Sequence, residues 1–475
     1  MKAKDILSIL LSSGSGRAGV VFLTTIVLAS LFVVVRFPLD FGSQRWNNPA
    51  EWSDNPKAVP PAWTSLFQGS DAISHAVFQA SEPDADGGLR RGYSFDYQYE
   101  SSKPPTFSAF SVSDVRFNDR PPVVTLNVTR PDGRRITLHQ QVVRGPRPGE
   151  TSPYVRFQDT PLRVFLSGDS DILVRLATFL RQEFALDVSP GDLEGKVEQI
   201  VFGTPVPGEV LRFEPLAGSY KFNAQAVVGE AGDSVGQVKL VLGGNVFGVM
   251  GTDSLGRDLA LGLLFGFPVA LIIGFVTSVF ATVIGSFLGI LSGFMGGKTD
   301  VAVQRFSDIW SNVPLLPILI FLIFILGQKL WLVVLIMILF GWPGLTIVVR
   351  SMVLQIRSGQ LVESTRALGA SKMRIMLRHI LFQIAPFVFA QMIFFTPAAI
   401  LAEAGLSFLG LGDPSIPTWG QILENGFRTG AVYVGYWWWI LPPGLLIVAT
   451  AMTFVLITLG LEPVVNPRLQ TARQS

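Results

Sequence analysis

Leu361-Val-Glu-Ser-Thr-Arg-Ala-Leu-Gly-Ala-Ser-Lys-Met-Arg-Ile-Met-Leu-Arg-His-Ile380 is polar and basic, yet its pattern is that of ordered helix. It lies between two long apolar runs, Leu330–Val349 and Ile380–Leu401. From Arg350 to His379 the cations are Arg350, Arg357, Arg366, Lys372, Arg374 and Arg378, against one acid, Glu363. The stretch parses as helix, break, helix. Leu361 to Leu368 forms a short helix with Glu363 in its first turn, where negative charge suits the dipole. Gly369 takes the left-handed cap position. Ser371 N-caps a second helix that runs through Arg374 and Arg378 to Ile380. Two explanations stand on physical grounds alone. The stretch is a basic loop retained on the cytoplasmic face, or it is a rigid docking surface.

Composition places the chain in a membrane. Of 475 residues, 49% are hydrophobic and 15% charged, against roughly 25% charged in ordinary soluble domains. The mean hydropathy is +0.44. A net charge of +2 implies no acidic bulk partner such as nucleic acid. No cysteine is present, which removes disulfides, thiol catalysis and thiolate metal sites. His75, His139 and His379 are far apart and form no metal-ligand spacing, so neither metal nor cofactor is expected. Charge is concentrated: Asp40–Lys239 holds 25 acids and 20 bases, 45 of the chain's 72 charged residues. One polypeptide therefore joins a soluble domain to a membrane domain.

About 20 apolar residues cross a bilayer, and six stretches read as spans: Ala18–Val35, Pro268–Leu291, Pro314–Leu326 or a longer one from near Ile309, Leu330–Val349, Ile380–Leu401 and Trp437–Leu459. The first is long for a signal-peptide core, and Arg36-Phe-Pro-Leu39 lacks a small-x-small cleavage site, so it reads as a retained span. Leu259–Gly266 reads as a separate interfacial helix, Gly296–Asn312 as a polar connection, and Ala402–Tyr436 as a Gly/Pro-rich outer loop. Lys2, Lys4 and Arg17 hold the N-terminus in the cytoplasm. Six spans then place 350–379 and the 462–475 tail in the cytoplasm, and 402–436 outside. Trp437-Trp-Trp439 would sit at the outer headgroup interface.

The region 37–246 would accordingly be extracytoplasmic, and it reads as α+β. Val123–Arg130 and Arg135–Val142 alternate apolar and polar residues across a Pro131-Asp-Gly133 turn. Asp169 caps a helix with Ile172, Leu176, Phe179 and Leu180 on one face. Ser189-Pro190 opens a second helix to about Ile200, and Tyr220–Val228 and Val235–Leu242 read as strands. Asn127-Val-Thr129 is a chance glycosylation sequon within a strand.

Catalytic machinery is missing. Ser292-Gly-Phe-Met-Gly-Gly-Lys-Thr299 imitates a phosphate loop but has Ser292 where the motif needs glycine, and it ends a span instead of following a strand. The span interiors carry no acid, Lys, Arg or His, which disfavours an ion-coupled carrier. The cytoplasmic pieces are too short to form an ATPase or kinase domain. The chain is thus not expected to be an enzyme, and a cytoplasmic effect must pass through a docked partner.

Glu363-Ser-Thr-Arg-Ala-Leu-Gly369-Ala-Ser-Lys-Met-Arg374 resembles the EAA loop of ABC-importer permeases, in detail the C-type subunit of dipeptide/oligopeptide/nickel permeases. Further matches follow in order: Gly251-Thr-Asp-Ser-Leu-Gly-Arg-Asp258, Arg305-Phe-Ser-Asp308 with Pro314, Glu403-Ala-Gly-Leu-Ser-Phe-Leu-Gly-Leu-Gly412 with Pro417-Thr-Trp-Gly420, and Asn466-Pro-Arg-Leu469. The resemblance is loose over 1–36 and close over 247–469. It departs at Ser364-Thr365, where the family has Ala-Ala, at Phe382 for a usual proline, at Phe267-Pro268 for a usual arginine, and in the large 37–246 insert.

The resemblance implies a polytopic α-helical membrane protein of the type I ABC-importer permease fold, with an α+β domain inserted. It implies a cytoplasmic N-terminus and first span within 1–36, a five-helix core over 247–461 and a cytoplasmic tail over 462–475. It implies a prokaryotic inner or plasma membrane, a homologous B-type permease, two ATP-binding subunits and an extracytoplasmic solute-binding protein. Glu363, Arg366, Ala367, Gly369, Ala370 and Arg374 are the coupling residues it points to. Peptides are the implied solute, with nickel or oligosaccharides as alternatives. Outside the family, a membrane receptor or channel with an outer sensory domain stays open.

Overall fold

A computed structural model describes Ser8, Leu10–Pro38, Asp40–Asp86, Gly88–Glu209 and Leu211–Val465. The C-terminal motif at Asn466–Leu469 and the basic leader residues Lys2 and Lys4 lie outside these. The chain divides into two compact units, Ala50–Asp258 and Met1–Pro49 with Leu259–Ser475.

In the first unit, strands alternate inward and outward residues. β1 is Ala76–Ala80, β2 Ala85–Asp86, β3 Arg90–Tyr99, β4 Ser108–Phe117, β5 Val123–Thr129, β6 Arg135–Val142, β7 Tyr154–Arg156, β8 Leu162–Phe165, β9 Gly203–Pro205, β10 Phe213–Pro215, β11 Gly218–Val227 and β12 Ser234–Leu242. One antiparallel sheet has the order β1-β12-β4-β7, with β8 also on β4. The other runs β2-β3-β11-β5-β6, and β9 pairs β10 apart from both. Val124, Leu126 and Val128 of β5 and Tyr220, Phe222 and Ala224 of β11 enter the same core as Phe110, Val112 and Val115 of β4. The helix Ser170–Phe184, capped by Asp169, adds Ile172, Leu176, Phe179 and Leu180. At the end of β5, Arg130 is buried; its Nη1 and Nη2 donate to the Ile200 and Gly203 carbonyls at 2.8 and 2.9 Å, and Asp132 lies 3.2 Å away. The continuous helix expected from Ser189 to Ile200 is instead a 3-10 turn, Pro190–Leu193, and a short helix, Val197–Val201. Gly195 separates them at φ +71°, a conformation that ends helical propagation.

The second unit is helical. Its elements are α1 Gly14–Arg36, α2 Leu259–Met295, α3 Gly297–Asn312, α4 Leu315–Leu326, α5 Leu330–Gly341, α6 Pro343–Ile356, α7 Gln360–Ala367, α8 Lys372–Ile375, α9 Leu381–Phe408, α10 Trp419–Arg428 and α11 Trp437–Val465. Among the described residues, five helices are long and apolar enough to cross a membrane, or six if the α3–α4 pair, bent by 76°, is one span. This fits a polytopic permease.

Small residues bring the helices together, as is usual where lipid removes the hydrophobic drive for helix association. A side chain at Gly285, Gly289 or Gly293 of α2 would come within 2.8 Å of α6 atoms or of the adjoining Trp342 carbonyl. Thr346 Oγ1 donates to the Gly285 carbonyl (3.1 Å), and Thr396 Oγ1 of α9 donates to Ser278 Oγ of α2 (3.1 Å). A Cβ at Gly460 of α11 would stand 2.6 Å from Gly16 Cα of α1.

Four expectations change here. Leu259–Gly266 is not a separate interfacial helix: α2 runs unbroken through Pro268. Trp419 fills the notch at Gly266 and its Nε1 donates to the Leu263 carbonyl at 2.9 Å, beside the hydrogen bond that the proline cannot make. Gly296–Asn312 is helix, not connection. Ala402–Tyr436 is not wholly loop. Glu403 lies within α9, 5% exposed, accepting from Ser407 Oγ at 2.7 Å, and α10 follows. A buried ionisable group therefore does occur in an apolar helix. Finally, Trp438 and Trp439 are buried, Trp439 against α10, where it donates to the Ile422 carbonyl (3.1 Å).

Candidate functional site

The chain from Gly359 to Ile384 forms a bracket of two helical pieces set at an angle. Val362 is the buried residue of α7, fully inaccessible. Beyond the bend, Ile375, Met376, Ile380 and Ile384 are buried too. Both arms enter one core with Ile290 and Phe294 of α2 and Leu345, Val349 and Val353 of α6. The bracket is thereby anchored on each side of its bend.

The bend is a Schellman motif. Gly369 has φ +80°. Its N–H donates to the Arg366 carbonyl (3.0 Å), and Ala370 N–H donates to the Thr365 carbonyl (3.3 Å), the paired bonds that close a helix on a left-handed residue. Ser371 then caps α8, its Oγ accepting from Arg374 N–H at 3.4 Å. A π-turn over Met376–Ile380 leads into α9.

Glu363, Ser364, Arg366, Ala367, Leu368, Gly369 and Arg374 are exposed, while Ala370 is half-buried against the core. Leu368 is 87% exposed, the largest value for an apolar side chain on the bracket, with Leu361 and Met373 each 52%. Arg366 lies over the Phe294 ring, 5.7 Å from its centroid, a cation–π contact that steadies α7 on α2. The structure thus brings Glu363, Arg366, Ala367 and Gly369 onto one exposed surface around the bend, with Arg374 on the following turn. Leu368 joins this exposed surface, and sequence reasoning did not single it out. Its signal was available: a leucine directly before the glycine break, facing away from the side that buries Val362.

The profile of the family described as "Binding-protein-dependent transport system inner membrane component" matches residues 285–471, which takes in the whole bracket. The chain is 31% identical over 221 residues to the dipeptide transport system permease protein DppC of Bacillus subtilis (strain 168), covering 46% of this chain and 68% of that one. The chain belongs to this permease family. This ABC-importer permease is also 33% identical over 221 residues to the oligopeptide transport system permease protein OppC of Bacillus subtilis (strain 168), covering 46% and 72%. It is 33% identical over 178 residues to the peptidoglycan transport system permease protein YejE of Agrobacterium fabrum (strain C58 / ATCC 33970), covering 37% and 47%. A solved structure of the MetNI methionine ABC transporter, inward facing, is 22% identical over 44% of this chain and 98% of that one, at a TM-score of 0.36. The family and the apolar helices make the permease a multi-pass membrane protein.

Proposed function

We propose that this permease forms half of the translocation pathway of an ATP-driven importer, and that the Gln360–Ile380 bracket is where partner ATP-binding subunits engage it. The observation that carries this is the bracket itself. It exposes Leu361, Leu368 and Met373 beside Glu363 and Arg374, while its other face is sealed into the helix core. An exposed apolar patch with a polar rim is a mark of a protein-docking surface. A basic loop held only by charge asymmetry would need neither a Schellman bend nor two buried anchors.

In this reading the bracket, the N-terminus and the tail are cytoplasmic, and a homologous B-type permease completes the pathway. The permeases it resembles are named for dipeptides and oligopeptides, so peptides delivered by an extracytoplasmic binding protein are the proposed solute. The α+β unit is proposed to lie outside the membrane. Its charges are of mixed sign and several pair with one another, as in Asp54 with Arg163 and Lys239, which suits a docking surface better than a ligand pocket. Affinity purification of the full chain in mild detergent tests the assignment. Two ATP-binding subunits and a second permease are expected to accompany it; a chain that purifies alone, or with a signalling protein, overturns it.

A further inference from the structure

Beside the bracket, α2 gives way to α3 through Gly296 and Gly297, both at positive φ (+65° and +54°). Two successive residues in this region break helical continuity, so α2 does not by itself dictate where α3 points. The direction of the α3–α4 arm must be set by other contacts.

Asp300, in the first turn of α3, supplies one. Arg350 of α6 grips it with two charge-assisted bonds, Nε to Oδ1 at 2.5 Å and Nη2 to Oδ2 at 2.6 Å. Ser292 Oγ of α2 also donates to Oδ1 (2.5 Å), and Gln304 Nε2 donates to Ser292 Oγ (3.3 Å). One turn beyond Val353, Arg357 Nη1 donates to the Gly293 carbonyl at 3.1 Å. Arg350 thus stands between Val349 and Val353, which with Leu345 share one core with Val362 and Ile375 of the bracket. Across the pair, α3 continues to the 76° bend with α4. At that far end the arm is seated independently, by Trp310 Nε1 donating to the Leu339 carbonyl (2.5 Å) and by Phe306 stacking on Trp342 (5.6 Å between centroids).

We infer that the Asp300–Arg350 pair is the link that carries displacement of the bracket into the α3–α4 arm, making both positioning residues for transport. This rests on the coupling role proposed above for the bracket. The geometry suits transmission better than simple stabilisation. A bidentate pair fixes direction as well as distance, it lies at a glycine joint that fixes neither, and the arm has its own anchor elsewhere.

The test uses the intact complex in proteoliposomes, measuring ATP hydrolysed per solute imported, with co-purification of the ATP-binding subunits as the assembly readout. Asp300→Asn and Arg350→Gln are expected to leave assembly and ATP hydrolysis intact and to raise the ratio roughly tenfold, the scale of losing a charge-assisted pair. The exchange Asp300→Arg with Arg350→Asp is expected to bring the ratio back towards wild type. A wild-type ratio in Asp300→Asn overturns the inference, and so does an exchange variant no better than either single change. Should the neutral variants fail to assemble, Arg350→Lys keeps the charge and loses the fork. A raised ratio in that variant supports the link, and an unaltered one overturns it. If wild-type complex hydrolyses ATP indifferently to solute, the coupling role itself fails, whatever Asp300 does.

Discussion

Gly369 offers a graded perturbation whose order follows from local free energies. At φ +80° a Cβ meets nothing within 4 Å, so the cost of a side chain is conformational and not steric crowding by neighbours. An alanine held in the left-handed region costs about 1–2 kcal/mol, while asparagine visits that region readily. Proline cannot adopt it, since its ring locks φ near −65°. Proline also removes the N–H that donates to the Arg366 carbonyl, a further loss of about 0.5–1.5 kcal/mol. It disfavours as well the near-helical φ −75°, ψ 3° of Leu368 before it.

These costs compete with the seating of Val362, whose burial is worth about 1.5–3 kcal/mol. At the middle of each range alanine costs less than that figure, so α7 remains seated for the larger share and is only weakened. Proline exceeds it, so the bend opens and Val362 leaves the core. The expected order of solute uptake by the reconstituted complex is Gly ≈ Asn > Ala ≫ Pro. Alanine should lower the ratio of seated to unseated α7 by no more than about five- to thirtyfold. Amide hydrogen exchange across 360–368 should rise in the same order, while membrane yield stays constant. Unchanged uptake in Gly369→Pro, or an alanine variant worse than proline, would refute the reasoning.

Gly289→Leu should prevent α2 from closing on α6, because even a Cβ there would stand 2.7 Å from Val349 Cβ; loss of folded, detergent-stable protein is expected, and normal yield contradicts it. Arg130→Ala leaves the buried Ile200 and Gly203 carbonyls without their guanidinium donor, while Asp132 keeps Arg134, so the Ala50–Asp258 unit should lose about 2–5 kcal/mol in denaturant titration of the excised unit. His75 and His139 are held below the ordinary imidazole value of 6.5, chiefly by burial, with Asp54 and Asp169 pulling the other way. Below pH 6.5 the unfolded chain binds protons that these residues in the folded unit do not, so thermal stability of that unit should fall as pH drops through 6.5 towards the folded-state values. Replacing both histidines with glutamine should flatten that slope.

The bracket was legible in the sequence because its signals are local. A glycine break, a serine cap three residues before an arginine and flanking apolar runs all lie within some twenty positions, and α7, the bend and α8 fall where those signals put them. The β5–β6 hairpin and the Asp169 cap were readable for the same reason. Pro268 misled because what packs beside it is distant in sequence: Trp419 fills the notch at Gly266 and donates to the Leu263 carbonyl, 156 positions before it. Glu403 misled similarly. Its hydroxyl partner Ser407 is one turn on, but the cover that buries both comes from Gly420 of α10 packing on Ala404 and Ser407. The polarity of Gly296–Asn312 suggested a connection, whereas Asp300 is satisfied from α6, fifty positions later.

The absence of cysteine from the chain allows a direct test of the docking surface. A single cysteine introduced as Leu368→Cys, carrying a short photoactivatable cross-linker, should yield one dominant adduct with an ATP-binding subunit in native membranes. The same label at Phe324→Cys, an exposed α4 position, should not. An adduct pattern in which Leu368→Cys reaches no ATP-binding subunit, while the complex still imports solute, would contradict the docking role assigned to the bracket.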